Sequence, residues 1–142
     1  TVWRAWAALP SMLAVLSTAA WLRAASASWR AAIPVEIVLI GGTTSWAEPS
    51  GVIKVSTYHQ SHALATTLAH EFGHLIAFRY GSQAYNGAAP VGWPAYSSRP
   101  EEAWADCVAQ TFTGAAEPSH GLPACPSASL SWTGSWLAAG PP

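Results

Sequence analysis

Apolar and polar positions along the chain alternate with different periods, and each period predicts an element. Leu9, Leu13, Leu16 and Ala20 recur at helical spacing, while Arg4, Ser11 and Thr18 fall on another side. This stripe predicts one long, alanine-rich helix over residues 3–32, ended by Pro34. Val35–Ile40 is a β-favouring run stopped by Gly41 and Gly42, which predicts a strand. After a turn region holding Pro49, Ser50 and Gly51, Val52–Tyr58 alternates enough to predict a second, half-exposed strand. Residues 62–80 carry the best helical pattern. Leu64, Leu68, Phe72 or Leu75, and Ile76 mark its inner side, with Ser61 as N-cap and Gly81 as stop. Residues 82–99, with Gly87, Pro90, Gly92 and Pro94, predict an irregular loop. Another helix is expected from Pro100 to just before Gly114. The remainder, punctuated by Pro118, Pro123, Pro126, Pro141 and Pro142, is expected to be mostly extended or looped.

At 142 residues the chain is the size of one domain, expected to span 1–142. Residues 5–22 carry no charge, which raises a membrane span or a signal peptide. Pro10, Ser11, Ser17 and Thr18 interrupt the stretch, and Arg23 lies too close to an Ala25-Ser26-Ala27 cleavage site, so an amphipathic structural helix is the better reading. A membrane role is not expected. Arg4, Arg23, Arg30, Lys54, Arg79 and Arg99 are scattered and the net charge is −1, so no basic stripe offers itself to nucleic acid. Cys107 and Cys125 belong to no C-x-x-C pair, which argues against a thiolate metal site. A disulfide between them is expected, and with it a secreted or extracellular protein.

Only 9% of the chain is charged, so its carboxylates have diagnostic weight. Of seven, Glu71, Glu101, Glu102 and Asp106 cluster in two helical stretches; Glu36, Glu48 and Glu117 lie elsewhere. The first stretch reads His70-Glu71-Phe72-Gly73-His74. Helical residues four apart share a face, so both imidazoles can reach one metal ion at about 2.0–2.1 Å. Glu71, at the flank of that face, is placed to take a proton from an attacking water without binding the metal itself. Leu68, Ala69, Phe72, Leu75 and Ile76 would keep the surroundings dry.

A catalytic zinc takes three protein ligands, so a third is expected. A histidine six residues after His74 would be one solution, but position 80 is Tyr80. The downstream helix offers Glu101-Glu102-Ala103-Trp104-Ala105-Asp106. There Glu102 and Asp106 share a face and Glu101 points about 100° away. Zinc is therefore expected on His70, His74 and Glu102. Asp106 is expected to accept a hydrogen bond from the free ring nitrogen of a zinc histidine.

Through His70, Glu71, His74, Glu102 and Asp106 the chain resembles the gluzincins, zinc peptidases whose third ligand is a glutamate in an E-x-x-x-D helix. It looks most like their minimal, single-domain members. The resemblance covers the two motif helices and the loop between them. It implies an α+β, zincin-like fold: a small mixed sheet backed by an N-terminal helix, an active-site helix and a glutamate-bearing helix. It also implies zinc-dependent hydrolysis of a peptide or protein substrate lying along an edge strand, here Val52–Tyr58. The absence of the G-x-M-E-N segment of aminopeptidase relatives argues for an endopeptidase.

No motif marks the residue that would stabilise an oxyanion; Tyr96 and His120 are the candidates. His59 and His62 are expected to be solvated loop residues. Trp3, Trp6, Trp21 and Trp29 are expected to pack in the first helix, with Trp46, Trp93, Trp132 and Trp136 in loops, filling core before lining any cleft. The rival reading is a latent or non-catalytic zinc-binding module, its cleft filled by the proline-rich tail or the chain start.

Overall fold

The computed structural model describes residues 21, 25–81, 99–117 and 120–142. Most of the expected first helix, and Tyr96, Trp3, Trp6 and Trp93, lie outside them. Trp21 is helical, but Ala25 and Ser26 are not, and Ser26 is extended (ψ 159°). A separate helix α1 follows over Ala27–Ala32. One continuous helix through residue 32 is therefore not found. The break is held by Arg30, whose Nε donates to the Ala25 carbonyl at 3.1 Å and whose backbone N–H donates to the Ser26 carbonyl. Ile33 is extended ahead of Pro34, as the steric demand of proline requires, and α1 ends there.

Three strands form a mixed sheet in the order β1 (Glu36–Ile40), β3 (Val52–Ser56), β2 (Trp46–Glu48). The strand β3 runs parallel to β1, with Glu36 opposite Val52, and antiparallel to β2, with Trp46 opposite Lys54. The β2–β3 turn needs Gly51. Its φ is +97°, and a Cβ there would lie 2.9 Å from the Pro34 carbonyl oxygen.

The expected strand Val52–Tyr58 differs in two ways. It stops at Ser56, where the Ser56 side chain caps a short helix α2 (Thr57–Ser61) by accepting from the His59 backbone N–H. It is also the central strand, so the sheet edge on its far side belongs to β2.

The helix α3 spans Leu64–Tyr80, with Ala63 at its N-cap in the left-handed region and Gly81 at its end. Ser61 closes α2 and does not cap α3. The helix α4 runs from Pro100 to Thr113 and ends on left-handed Gly114, as expected. The expectation of a mostly extended or looped tail fails: Ser127–Ala138 forms a helix α5, buried through Ser129, Thr133 and Leu137 at every fourth position. Those first two side chains are small and polar, which hides the inner stripe from a hydrophobicity reading. The prolines of this region mostly flank the helix, and Pro126 occupies its N-cap.

The core joins the inner face of the sheet (Ile37, Ile53, Val55) to Leu68, Phe72 and Ile76 of α3 and to Trp104 and Val108 of α4. Trp21 and Trp29 complete it, Trp21 meeting Phe72 edge-on at 5.1 Å. The indole of Trp29 donates to the Leu137 carbonyl and that of Trp104 to the Gly73 carbonyl, so both of these buried N–H groups are satisfied. Trp132 and Trp136, expected in loops, lie on α5, and Trp136 packs against Trp29 and Trp104. Cys107 and Cys125 are disulfide-bonded, with Cα atoms 5.3 Å apart, tying the segment before α5 to α4. Among the described residues no helix is long and apolar enough to cross a membrane.

Candidate metal centre

Where α3 crosses α4, Gly73 is fully covered by its neighbour. A Cβ at that position would fall 2.9 Å from the Ala105 Cα and 3.2 Å from the Val108 Cβ. This close approach brings the inner face of α4 onto the histidines of α3. Glu102 Oε2 lies 3.0 Å from His70 Nε2, and Glu102 Oε1 lies 3.3 Å from His74 Nε2. Behind them, His70 Nδ1 lies 2.8 Å from Asp106 Oδ1, and both side chains are buried. Glu101, one position away, is exposed at the rim.

The donor atoms of His70, His74 and Glu102 all lie within 4.8 Å of one another. Tetrahedral zinc with arms of about 2.0–2.1 Å places its ligand atoms about 3.3 Å apart. The two nitrogen–oxygen spacings, 3.0 Å to Oε2 and 3.3 Å to Oε1 of Glu102, are close to that edge, and two imidazoles with one carboxylate are a zinc donor set.

The electrostatics are strongly coupled. Burial would lower the His70 pKa, but the hydrogen bonds to Asp106 and Glu102 outweigh it and raise the value to about 10. Burial would raise that of Glu102. Hydrogen bonds from His70 and His74 outweigh it and hold this carboxyl well below the usual range. Glu71 is 6% exposed, and burial pushes its pKa up against the pull of both histidines.

Two cavities meet at this group. One, of about 460 Å³, is lined by hydroxyl and imidazole side chains including Thr43, Ser45, His59 and Thr67. The other, of about 470 Å³, is lined by Trp46, Ala47, Ala77 and Phe78. His70, Glu71 and His120 border both. The strand flanking the second cavity is β2, which replaces Val52–Tyr58 as the edge strand beside the site. A third cavity, of about 610 Å³, opens near Ala25, Ala65, Phe112 and Thr113 and holds no titratable side chain among the described residues.

Two histidines depart from expectation or sharpen it. His120, a candidate for stabilising an oxyanion, stands with Nε2 2.9 Å from Glu102 Oε2 and is 44% exposed. His59 is not a solvated loop residue. It sits half-buried on α2, its Nδ1 2.7 Å from Ser45 Oγ and 3.1 Å from Ser56 Oγ. His62 is exposed and stacks on Tyr58, as a solvated residue would. Nothing in the spacing of Ser45, Ser56 and His59 signals their meeting, because strand pairing and the turn into α2 bring them together.

No protein-family model, curated protein or solved structure matches this chain.

Proposed function

We propose that this chain is a zinc-dependent peptidase of gluzincin type, acting within peptide chains. The observation that carries the reading is the convergence of His70, His74 and Glu102, with Asp106 hydrogen-bonded behind His70 and Glu71 beside the group. His70 and His74 would bind zinc through Nε2, and Glu102 through its carboxylate. When bound, zinc supplies Lewis acidity that polarises the scissile carbonyl and makes water a competent nucleophile near neutral pH.

The rest of the chemistry belongs to the chain. Asp106 accepts from Nδ1–H of His70, which leaves Nε2 of that ring as the metal-facing nitrogen. Glu71, its pKa raised by burial, is suited to take a proton from the attacking water and deliver it to the departing amine. An extended peptide can lie along β2, its side chains meeting the Trp46 and Phe78 cavity on one side and the hydroxyl-lined cavity on the other. The disulfide suits a protein working outside the reducing cytosol.

A second reading, a latent or non-catalytic zinc module, is favoured by the contact of His120 with Glu102. That imidazole could fill the position a catalytic zinc leaves open. A digest of a peptide library decides between the two. Zinc-loaded protein should cut within peptides, lose activity to a chelator and regain it with added zinc. Zinc-loaded protein that cleaves nothing would leave only the second reading.

A further inference from the structure

His59 lies eleven residues before His70 and borders the same cavity of about 460 Å³ as His70 and Glu71. The hydrogen bonds around it engage one ring nitrogen, Nδ1. Ser45 Oγ accepts from the backbone N–H of Ser56 at 2.9 Å. Ser56 Oγ accepts from the backbone N–H of His59 at 3.1 Å. Each hydroxyl therefore has its own proton to donate, and both oxygens lie against one atom, Nδ1 of His59. A hydroxyl that donates into the single Nδ1 lone pair places the ring proton on Nε2. Burial, with the charges of His70 and His62, lowers the pKa of this histidine and favours its neutral form. No hydrogen-bond partner meets Nε2 among the described residues, and the residue lines the cavity.

We propose that His59 is a substrate-anchoring residue, its Nε2–H donating to a backbone carbonyl oxygen of the bound peptide in the hydroxyl-lined cavity. The proposal rests on the peptidase reading and extends it to the substrate's polar contacts on that side of the site. His120, against Glu102, is better placed for the reacting atoms, and His59 holds the flanking chain. Its contact is made equally in the bound substrate and in the transition state, so it acts on KM and leaves kcat alone.

Long-range proton–nitrogen spectra of the zinc-loaded protein should show His59 protonated at Nε2; protonation at Nδ1 overturns the proposal. His59→Ala should raise KM about five- to tenfold, the cost of one hydrogen bond, with kcat within about twofold and zinc content unchanged. His59→Gln, which keeps an N–H donor, should recover part of that loss. A change in thermal unfolding with KM unaltered means that His59 only supports α2, and a loss confined to kcat means that it acts on the reacting carbonyl; either overturns the proposal. If the zinc-loaded wild type cleaves no peptide, the peptidase reading falls and the proposal falls with it. If the wild type cleaves and His59→Ala matches it, the proposal alone falls.

Discussion

His70 and Asp106 lie thirty-six residues apart in sequence, yet Nδ1 of one meets Oδ1 of the other at 2.8 Å in the protein interior. The contact turns the imidazole so that Nε2 faces Glu102, and it reserves Nδ1 for a hydrogen bond. In the proposed site, ligand and supporting carboxylate would thus have separate atoms and separate jobs, and substitutions should separate them too.

Glu102→Ala should weaken zinc binding most, since it removes one of the three proposed ligands. Asp106→Asn keeps the shape but loses the anionic acceptor, and a 10- to 100-fold loss is expected for such a supporting partner. Glu101→Ala should bind zinc almost normally, its carboxylate being exposed at the start of α4. Competition with a chromogenic chelator ranks the three. A ranking led by Glu101→Ala would mean that the wrong carboxylate has been assigned.

Gly73 is required by packing, not by backbone conformation. Gly73→Ala pushes a methyl group to 2.9 Å from the Ala105 Cα, which is backbone and cannot swing aside. A cost of about 1–3 kcal/mol is expected, as for other overpacked cores. The strain separates α3 from α4, so zinc affinity should fall as well. Denaturant unfolding with a parallel zinc titration measures both. Unchanged stability would show that the helices cross more loosely than described.

Zinc uptake should release protons. With its pKa raised to about 10, His70 of the metal-free protein is protonated on both nitrogens near neutral pH. Nε2 must give up its proton to bind metal, so apparent affinity should rise as pH rises, by about tenfold per unit between about pH 7 and about pH 9. Calorimetry in two buffers of different ionisation enthalpy counts the protons released. A pH-independent affinity would mean that Glu102 and Asp106 do not hold His70 in its charged form.

The site was legible in the sequence because helical geometry is local. The four-residue steps from His70 to His74 and from Glu102 to Asp106 fix which side chains share a face before any tertiary contact is known. The two helices bearing them were legible for the same reason, Gly81 and Gly114 ending them where expected. The bond between Cys107 and Cys125 was expected from both lying in the last third of the chain, and the structure contains it. What failed depended on contacts distant in sequence. Val52–Ser56 reads like an edge strand, yet β1 and β2 close over both of its sides. The α5 helix hides its inner face behind Ser129 and Thr133, which are fully buried although polar. His59 looked solvated because the serines that hold it come from either side of the β2–β3 turn.

The most direct test of the central claim is Glu71→Gln, assayed at once for bound zinc and for peptide hydrolysis. Glu71 borders the metal group and is proposed as its base, not as a ligand, and glutamine keeps its size while losing the base. The expected result is about one zinc per chain, as in the wild type, with hydrolysis abolished. Loss of zinc from this variant would make Glu71 a ligand, and wild-type hydrolysis by it would remove the general base on which the mechanism rests.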